Sequence, residues 1–371
     1  MIRVLQCIGS LEFGGAQSFI MEVYRKIDRN TFQFDFVVFE GEVKDNSEEI
    51  EALGGRIFEC PHYSPKKHFI FVKWWKEFFK THPEYRVLHS HLRSCVSLIL
   101  PMAKKAGCTT IVHSHSTSNG SGLKSFAKAV LQWPIRHMAD YLFACSTTSG
   151  QWLYGNKVIS KDNFRVVPNC IDVSRFQFSQ ENRDVVRKEY GIAADDFVIG
   201  HVGRFHPVKN HKFLIEIFAE ICKEKHNAKL LLIGEGELLE HIQSYCANLG
   251  LADKVIFTGS QRDTAPYYSA MDAFVFPSLW EGVPVSVVEA QAAGVKCYIS
   301  DTITKDVCCT DLVITKRLSE PAVEWAQVIL DSQDSKERLS GKTTLKQLAL
   351  FDSQQVAKEL CKFYQNTAQK A

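Results

Sequence analysis

The chain has 371 residues, of which 45% are apolar and 23% charged, and its net charge is +2. That length suits two or three domains with cores of their own, and the apolar share excludes a disordered chain. A balance so near neutrality carries no signature of nucleic-acid binding, although residues 1–172 hold 21 Lys and Arg against 16 Asp and Glu and the remainder 23 against 26.

Apolar strand patterns and amphipathic helix patterns alternate from the start. The first strand is IRVLQCIG (2–9), and the helix AQSFIMEVYRKI (16–27) follows it. The apolar run at this end is too short for a signal peptide and leads straight into a glycine turn. Strand patterns follow at 32–40, 56–61, 86–91, 109–115, 141–146 and 164–168, with a helix pattern at 69–79. A Pro/Asn/Ser-rich stretch around 170–190 reads as a boundary. Beyond it, strand patterns at 197–203, 228–234, 254–259, 273–278 and 296–300 alternate with helix patterns at 211–224, 237–250 and 283–294. The tail, 348–368, is a helix after the last strand. Continuous apolar strands between helices imply parallel sheets covered on both faces. The expected fold is therefore α/β, with two doubly wound Rossmann-like domains. The expected division is 1–172, 173–350 and a terminal helical segment 351–371.

No apolar run approaches the ~18 residues that would span a membrane. The twelve cysteines are scattered without a C-x-x-C pair. Cys7, Cys145 and Cys297 fall in strand patterns as small hydrophobes, which suits a reducing compartment.

Ligands of such sheets bind at the carboxyl ends of the strands. The turn SLEFGGAQ (10–17) joins the first strand to the first helix, and Gly14 and Gly15 would let a backbone approach a ligand. A plain tight turn is the alternative, since neither G-x-G-x-x-G nor a Walker motif is present. IGEGELLEH (233–241) has the same layout and the same ambiguity. HVGRFHPVKNH (201–211) places Gly203, Arg204 and Lys209 at a strand end. Two cations there suit a diphosphate, although two solvated basic residues would read the same way. In LWEGVPVSVVEAQAAG (279–294), Glu281 precedes a Gly-Val-Pro turn and Glu289 lies in a helix with almost no polar face. A buried Glu needs a partner. His89 and His91 end one strand and His113 and His115 the next, each pair at a spacing that puts two rings on one face. Neither pair has a neighbouring carboxylate, and the chain has no Asp-x-Asp, so no metal or other cofactor is expected.

In order along the chain, GGAQ, His115, FRVVPNCIDVSRF, HVGRFHPVKNH, LLLIGEGEL, VIFTGS and PSLWEGVPVSVVEAQAAG resemble the retaining GT-B glycosyltransferases of family 4. The capsular and exopolysaccharide members are the most similar, through KNHKFLIEIF and CYISDTIT. The resemblance implies two domains facing across a cleft, with the final helix returning to the first. It implies that Glu289 accepts from ribose hydroxyls, that Glu281 faces the donor sugar, and that the N–H groups of Gly282 and Val283 help hold it. Arg204 and Lys209 would neutralise the leaving diphosphate beside Gly203. Gly14 and Gly15 would approach that diphosphate from the first domain, His115 would lie near the reacting centre, and Arg262 near the base. Trp280 departs from the pattern, and His89, His91 and His113 have no role in it.

The implied function is transfer of a hexose from a nucleotide diphosphate sugar, UDP by family habit, to a hydroxyl of a polyprenyl-diphosphate-linked oligosaccharide, without a metal. A nucleotide-sugar 2-epimerase and a non-catalytic sugar-binding subunit are the alternatives. The implied location is cytoplasmic, with peripheral contact to an anionic inner membrane surface left open. The segment 122–142 motivates that contact, because Lys124, Lys128 and Arg136 interleave with Phe126, Leu131 and Trp133.

Overall fold

A computed structural model of the chain describes residues 1–12, 14–42, 45–116, 123–332 and 346–368. It divides into two compact units, one of Met1–Cys170 with Ser353–Ala371 and one of Ile171–Asp352. The chain changes unit between Cys170 and Ile171 for a visible reason. Ile171 bridges Asp352 in parallel, donates its N–H to the Phe351 carbonyl, and packs with Val173 into the second unit's core.

The first unit holds seven parallel strands: β1 (Ile2–Cys7), β2 (Phe32–Phe39), β3 (Ile57–Cys60), β4 (Val87–Ser90), β5 (Thr109–Ser114), β6 (Tyr141–Ala144) and β7 (Phe164–Val166). Their order is β3-β2-β1-β4-β5-β6-β7, with Val4 opposite Val87 where β1 meets β4. β2 shows what a doubly covered strand requires. Seven of its eight residues are buried, including Gln33 and Asp35. Burial alone would raise the Asp35 carboxyl, but Arg3 at 2.6 Å, Arg56 at 3.0 Å and the Tyr85 hydroxyl at 2.8 Å hold it below the usual carboxylate range. Removing a partner from such a buried charge costs roughly 3–5 kcal/mol. The terminal helix Ser353–Ala368 buries Val356, Leu360, Phe363 and Tyr364 in the same core as Phe19 and Tyr24 of the helix Gly15–Lys26.

The second unit holds six: β8 (Phe197–Val202), β9 (Ala228–Ile233), β10 (Val255–Phe257), β11 (Ala273–Phe276), β12 (Lys296–Ser300) and β13 (Val313–Lys316), in the order β10-β9-β8-β11-β12-β13. β13 lies outside the strand patterns read from the sequence. It is a four-residue edge strand with none of its residues fully buried, although Val313 and Ile314 pack against the cores of the unit. In both units strand order reverses at one place, between β1 and β4 and between β8 and β11, where such sheets bind ligands. Among the described residues no helix is long and apolar enough to cross a membrane.

Candidate functional site

In the second unit the turns after β8 and β11 are tied to each other. The Leu279 N–H donates to the Val208 carbonyl at 2.8 Å, and the Asn210 side-chain amide donates to the Pro277 carbonyl at 3.1 Å. Asn210 sits at φ 55°, a left-handed conformation that asparagine tolerates. These ties bring Lys209 Nζ to 2.7 Å from Glu281 Oε1. Glu281 Oε1 is buried, so this ammonium is its charge partner. The ammonium also lies 4.6 Å above the centre of the Phe276 ring. A side chain at Gly203 would meet His201 Nε2 at 3.1 Å and Lys209 Cε at 3.2 Å, so glycine there makes room for the lysine.

Arg204 goes elsewhere. Its side chain is 73% exposed and lies 3.5 Å from Glu237 Oε2. The two cations thus share a turn without sharing partners. IGEGELLEH is more than a loose turn. Gly234 and Gly236 have φ of 140° and 152°, and a Cβ on either would fall 2.2 Å and 2.6 Å from the carbonyl oxygens of Gly203 and Phe205. This turn packs directly on the backbone that carries Arg204.

The helix expected at 283–294 spans Val285–Ala292, with Pro284 at its N-cap. Val287, Val288, Ala290, Gln291 and Ala292 are buried, and Glu289 is half-buried. Its partner is Tyr268, whose hydroxyl donates to Glu289 Oε2 at 2.7 Å. Burial and the adjacent carboxylate push the Tyr268 phenol well up, so it stays a donor. Val283 is buried in the core and Gly282 has open space where a Cβ would stand. Arg262 is exposed.

In the first unit Gly14 is the extended N-cap of the helix Gly15–Lys26, a conformation any residue adopts. A Cβ on Gly15 would find only the Asn169 amide, at 3.9 Å. The four strand-end histidines form one cluster. Ring centroids are 4.5 Å apart for His89 and His91, 4.1 Å for His113 and His115, and 5.0 Å for His91 and His115. His91 Nδ1 lies 2.8 Å from His115 Nε2, His91 Nε2 3.0 Å from Gln6 Oε1, and His115 Nδ1 2.9 Å from the Asn169 amide. His89 Nδ1 meets the Tyr364 hydroxyl at 2.7 Å, and His113 Nε2 meets the Val167 carbonyl at 3.1 Å.

Burial holds all four imidazoles neutral. It pushes His89 down to about 3 and His115 to about 4, with Arg93 adding to the effect on His115. His91 and His113 lie well below the ordinary histidine value for the same reason. One ring nitrogen from each of His89, His91 and His113 lies within 4.8 Å of the others, a spacing that could hold a metal. Hydrogen bonds already engage both nitrogens of His91 and one each of His89 and His113, which leaves too few lone pairs for a three-ligand site. Both nitrogens of His115 are likewise engaged inside the unit.

The sequence reading missed Tyr268, Gln6 and Asn169. Tyr268 sits in an ordinary helix pattern, and Gln6 in the middle of a strand. Asn169 lay in plain view in FRVVPNCID, but only the fold puts it beside His115.

Residues 13–175 match the family model described as Glycosyltransferase Family 4, and residues 182–326 match that described as Glycosyl transferases group 1. A Bacillus subtilis protein named as a glycosyltransferase, EpsF, is 34% identical over 375 residues, covering 99% of this chain and 97% of its own. An Escherichia coli enzyme named UDP-Gal:alpha-D-GlcNAc-diphosphoundecaprenol alpha-1,3-galactosyltransferase is 26% identical over 231 residues, 59% of this chain and 58% of its own. Among solved structures, Anabaena Alr3699/HepE in complex with UDP has a TM-score of 0.80 over 99% of this chain and 100% of its own. At 15% identity that likeness speaks to the fold alone.

Proposed function

The chain belongs to glycosyltransferase family 4, and from that premise we propose that it is a retaining hexosyltransferase of surface-polysaccharide synthesis. The donor is a UDP-sugar and the acceptor a hydroxyl of a polyprenyl-diphosphate-linked oligosaccharide. The observation that carries this reading is the placement of Lys209 and Glu281, 2.7 Å apart where β8 and β11 diverge. A cation for the diphosphate and a carboxylate for the sugar hydroxyls then stand side by side. Glu289, oriented by Tyr268, suits a ribose diol one turn into the next helix. The name of a Staphylococcus aureus relative, Capsular polysaccharide biosynthesis glycosyltransferase CapH, supports the polysaccharide role, and that of the Escherichia coli enzyme supports the lipid-linked acceptor.

In the proposed reaction the bond from the anomeric carbon to the diphosphate breaks, and the acceptor oxygen bonds to the same face. The acceptor proton passes to the departing phosphate oxygen. Negative charge builds on that phosphate as the bond breaks, so Lys209 and Arg204 bind the transition state more strongly than the ground state. Lys209 resting against Glu281 keeps both charges partnered until a donor separates their roles. No metal is assigned a part.

A panel of nucleotide sugars tests the reading. UDP and one or more UDP-sugars should raise the melting temperature, and UDP should be released only when a lipid-linked acceptor is added. Conversion of the donor sugar without any acceptor would favour an epimerase. Absence of stabilisation by every nucleotide would favour a non-catalytic subunit.

A further inference from the structure

The residues from Ala273 to Ser278 are buried, and the two that follow, Leu279 and Trp280, are 44% and 53% exposed. Single exposed apolar side chains are ordinary. The place of these two is not. Of the large apolar side chains exposed among the described residues, only Leu279 and Trp280 lie on a turn where a sheet reverses its strand order. Their backbone is also held fast. The Ser278 carbonyl accepts from the Ser300 and Thr302 hydroxyls, and the Leu279 N–H donates to the Val208 carbonyl.

The chain has six tryptophans. Trp75 and Trp325 are buried, and Trp74, Trp133 and Trp152 each meet another ring or a guanidinium. Trp280 alone meets no other ring and no cation among the described residues. Beside it, Glu281 is turned inward on Lys209 with 18% of its side chain exposed, and Gly282 has open space where a Cβ would stand. An aromatic face is thus offered to solvent next to the carboxylate assigned to the donor sugar. A pyranose has the matching form, with C–H groups on one face and hydroxyls at the rim. Its polarised C–H groups pack on the negative face of an aromatic ring, and tryptophan presents the widest such face. The inward Glu281 takes the donor sugar in the proposed reaction, so the outward ring suits the second sugar, that of the acceptor.

We propose that Trp280 is the platform on which a pyranose of the acceptor glycan stacks while its hydroxyl is presented to the donor. The pinned backbone holds the ring in place before the sugar arrives, so little freedom is lost on binding. Leu279 extends the apolar rim. The choice of acceptor over donor rests on the glycosyl-transfer reading; the affinity of the Trp280 face for a pyranose does not.

Nitrogen-15 NMR of the indoles in the full protein reads the contact, with Trp280→Phe assigning the resonance. In the presence of UDP, titration with methyl glucoside, methyl galactoside and methyl N-acetylglucosaminide should shift the Trp280 indole and leave the buried Trp75 and Trp325 in place. No shift with any of these sugars overturns the platform. A shift with anionic lipid vesicles and with no pyranoside assigns the ring to lipid and overturns it too. In transfer assays, Trp280→Ala should raise the KM for a lipid-linked acceptor about tenfold or more, the scale for losing an aromatic anchor, with the KM for the UDP-sugar and the affinity for UDP unchanged. Trp280→Phe keeps a ring and should recover most of that loss. An unchanged acceptor KM in Trp280→Ala, or a change in the donor KM instead, overturns the acceptor assignment. A protein that transfers no sugar defeats the glycosyl-transfer reading and leaves the NMR titration to decide the platform.

Discussion

Glu281 and Glu289 are separated by eight positions in sequence and by their partners in space. Glu281 shares an ion pair with Lys209, and Glu289 takes the Tyr268 hydroxyl. Their loss should therefore have different consequences. Glu281→Ala should abolish transfer with little effect on UDP binding, whereas Glu289→Ala should chiefly weaken UDP in calorimetry. Equal losses in both assays would sink the division of roles. Lys209→Ala should lower turnover by about 10²-fold, the scale for removing one charge-stabilising donor. Turnover near wild type would remove Lys209 from the leaving-group site. The chemistry of these residues was legible before their contacts were. A buried Glu289 demanded a partner, yet nothing in PYYS pointed to Tyr268. Arg204 and Lys209 read as a pair in sequence, and only the structure shows Arg204 turned toward Glu237.

At the scale of elements, the parallel strands were legible because burial on both faces forces continuous apolar runs, as in Phe32–Phe39. β13 was passed over although Leu312, Val313 and Ile314 make a short apolar run at the edge of the sheet. The strand-end histidines were legible as neighbours from their i, i+2 spacing, but their merger into one cluster follows from β4 pairing with β5. That cluster has a consequence for stability. His89 at about 3 and His115 at about 4 lie below the ordinary value of 6.5, so the unfolded chain binds protons first as pH falls. Their contribution is complete above about 6.5 and is lost as pH falls toward 4, at about 1.4 kcal/mol per unit of separation. Urea unfolding should show stability dropping between pH 6.5 and 5, above the range where carboxylates titrate; a flat profile would contradict the buried neutral cluster.

The helix Leu123–Gln132 carries a second consequence. Phe126 and Trp133 are 71% and 60% exposed, and Val130 and Lys128 are exposed with them. Leu131 is half-buried, Pro134 separates this helix from the next, and the Lys124 side chain lies outside the described residues. An apolar row beside a basic residue suits an anionic lipid surface. Co-sedimentation with anionic liposomes should exceed that with neutral ones, fall with salt, and be lost in Phe126→Ser/Trp133→Ser. Equal pelleting with neutral vesicles would reject the contact.

At the scale of the whole molecule, each sheet reverses its strand order once, the turns at that place in the second unit carry Lys209 and Glu281, and the chemistry proposed for them needs no divalent cation. Activity should survive EDTA. Its loss, restored by Mn²⁺ or Zn²⁺, would return His89, His91 and His113 to consideration as ligands. The central claim is transfer of a hexose from a UDP-sugar with its anomeric configuration kept. The most direct test is to incubate the protein with the UDP-sugar that stabilises it and a lipid-linked acceptor, and to read the anomeric proton coupling of the product by NMR. The account predicts acceptor-dependent UDP release and the configuration of the donor in the new linkage. An inverted linkage would contradict it.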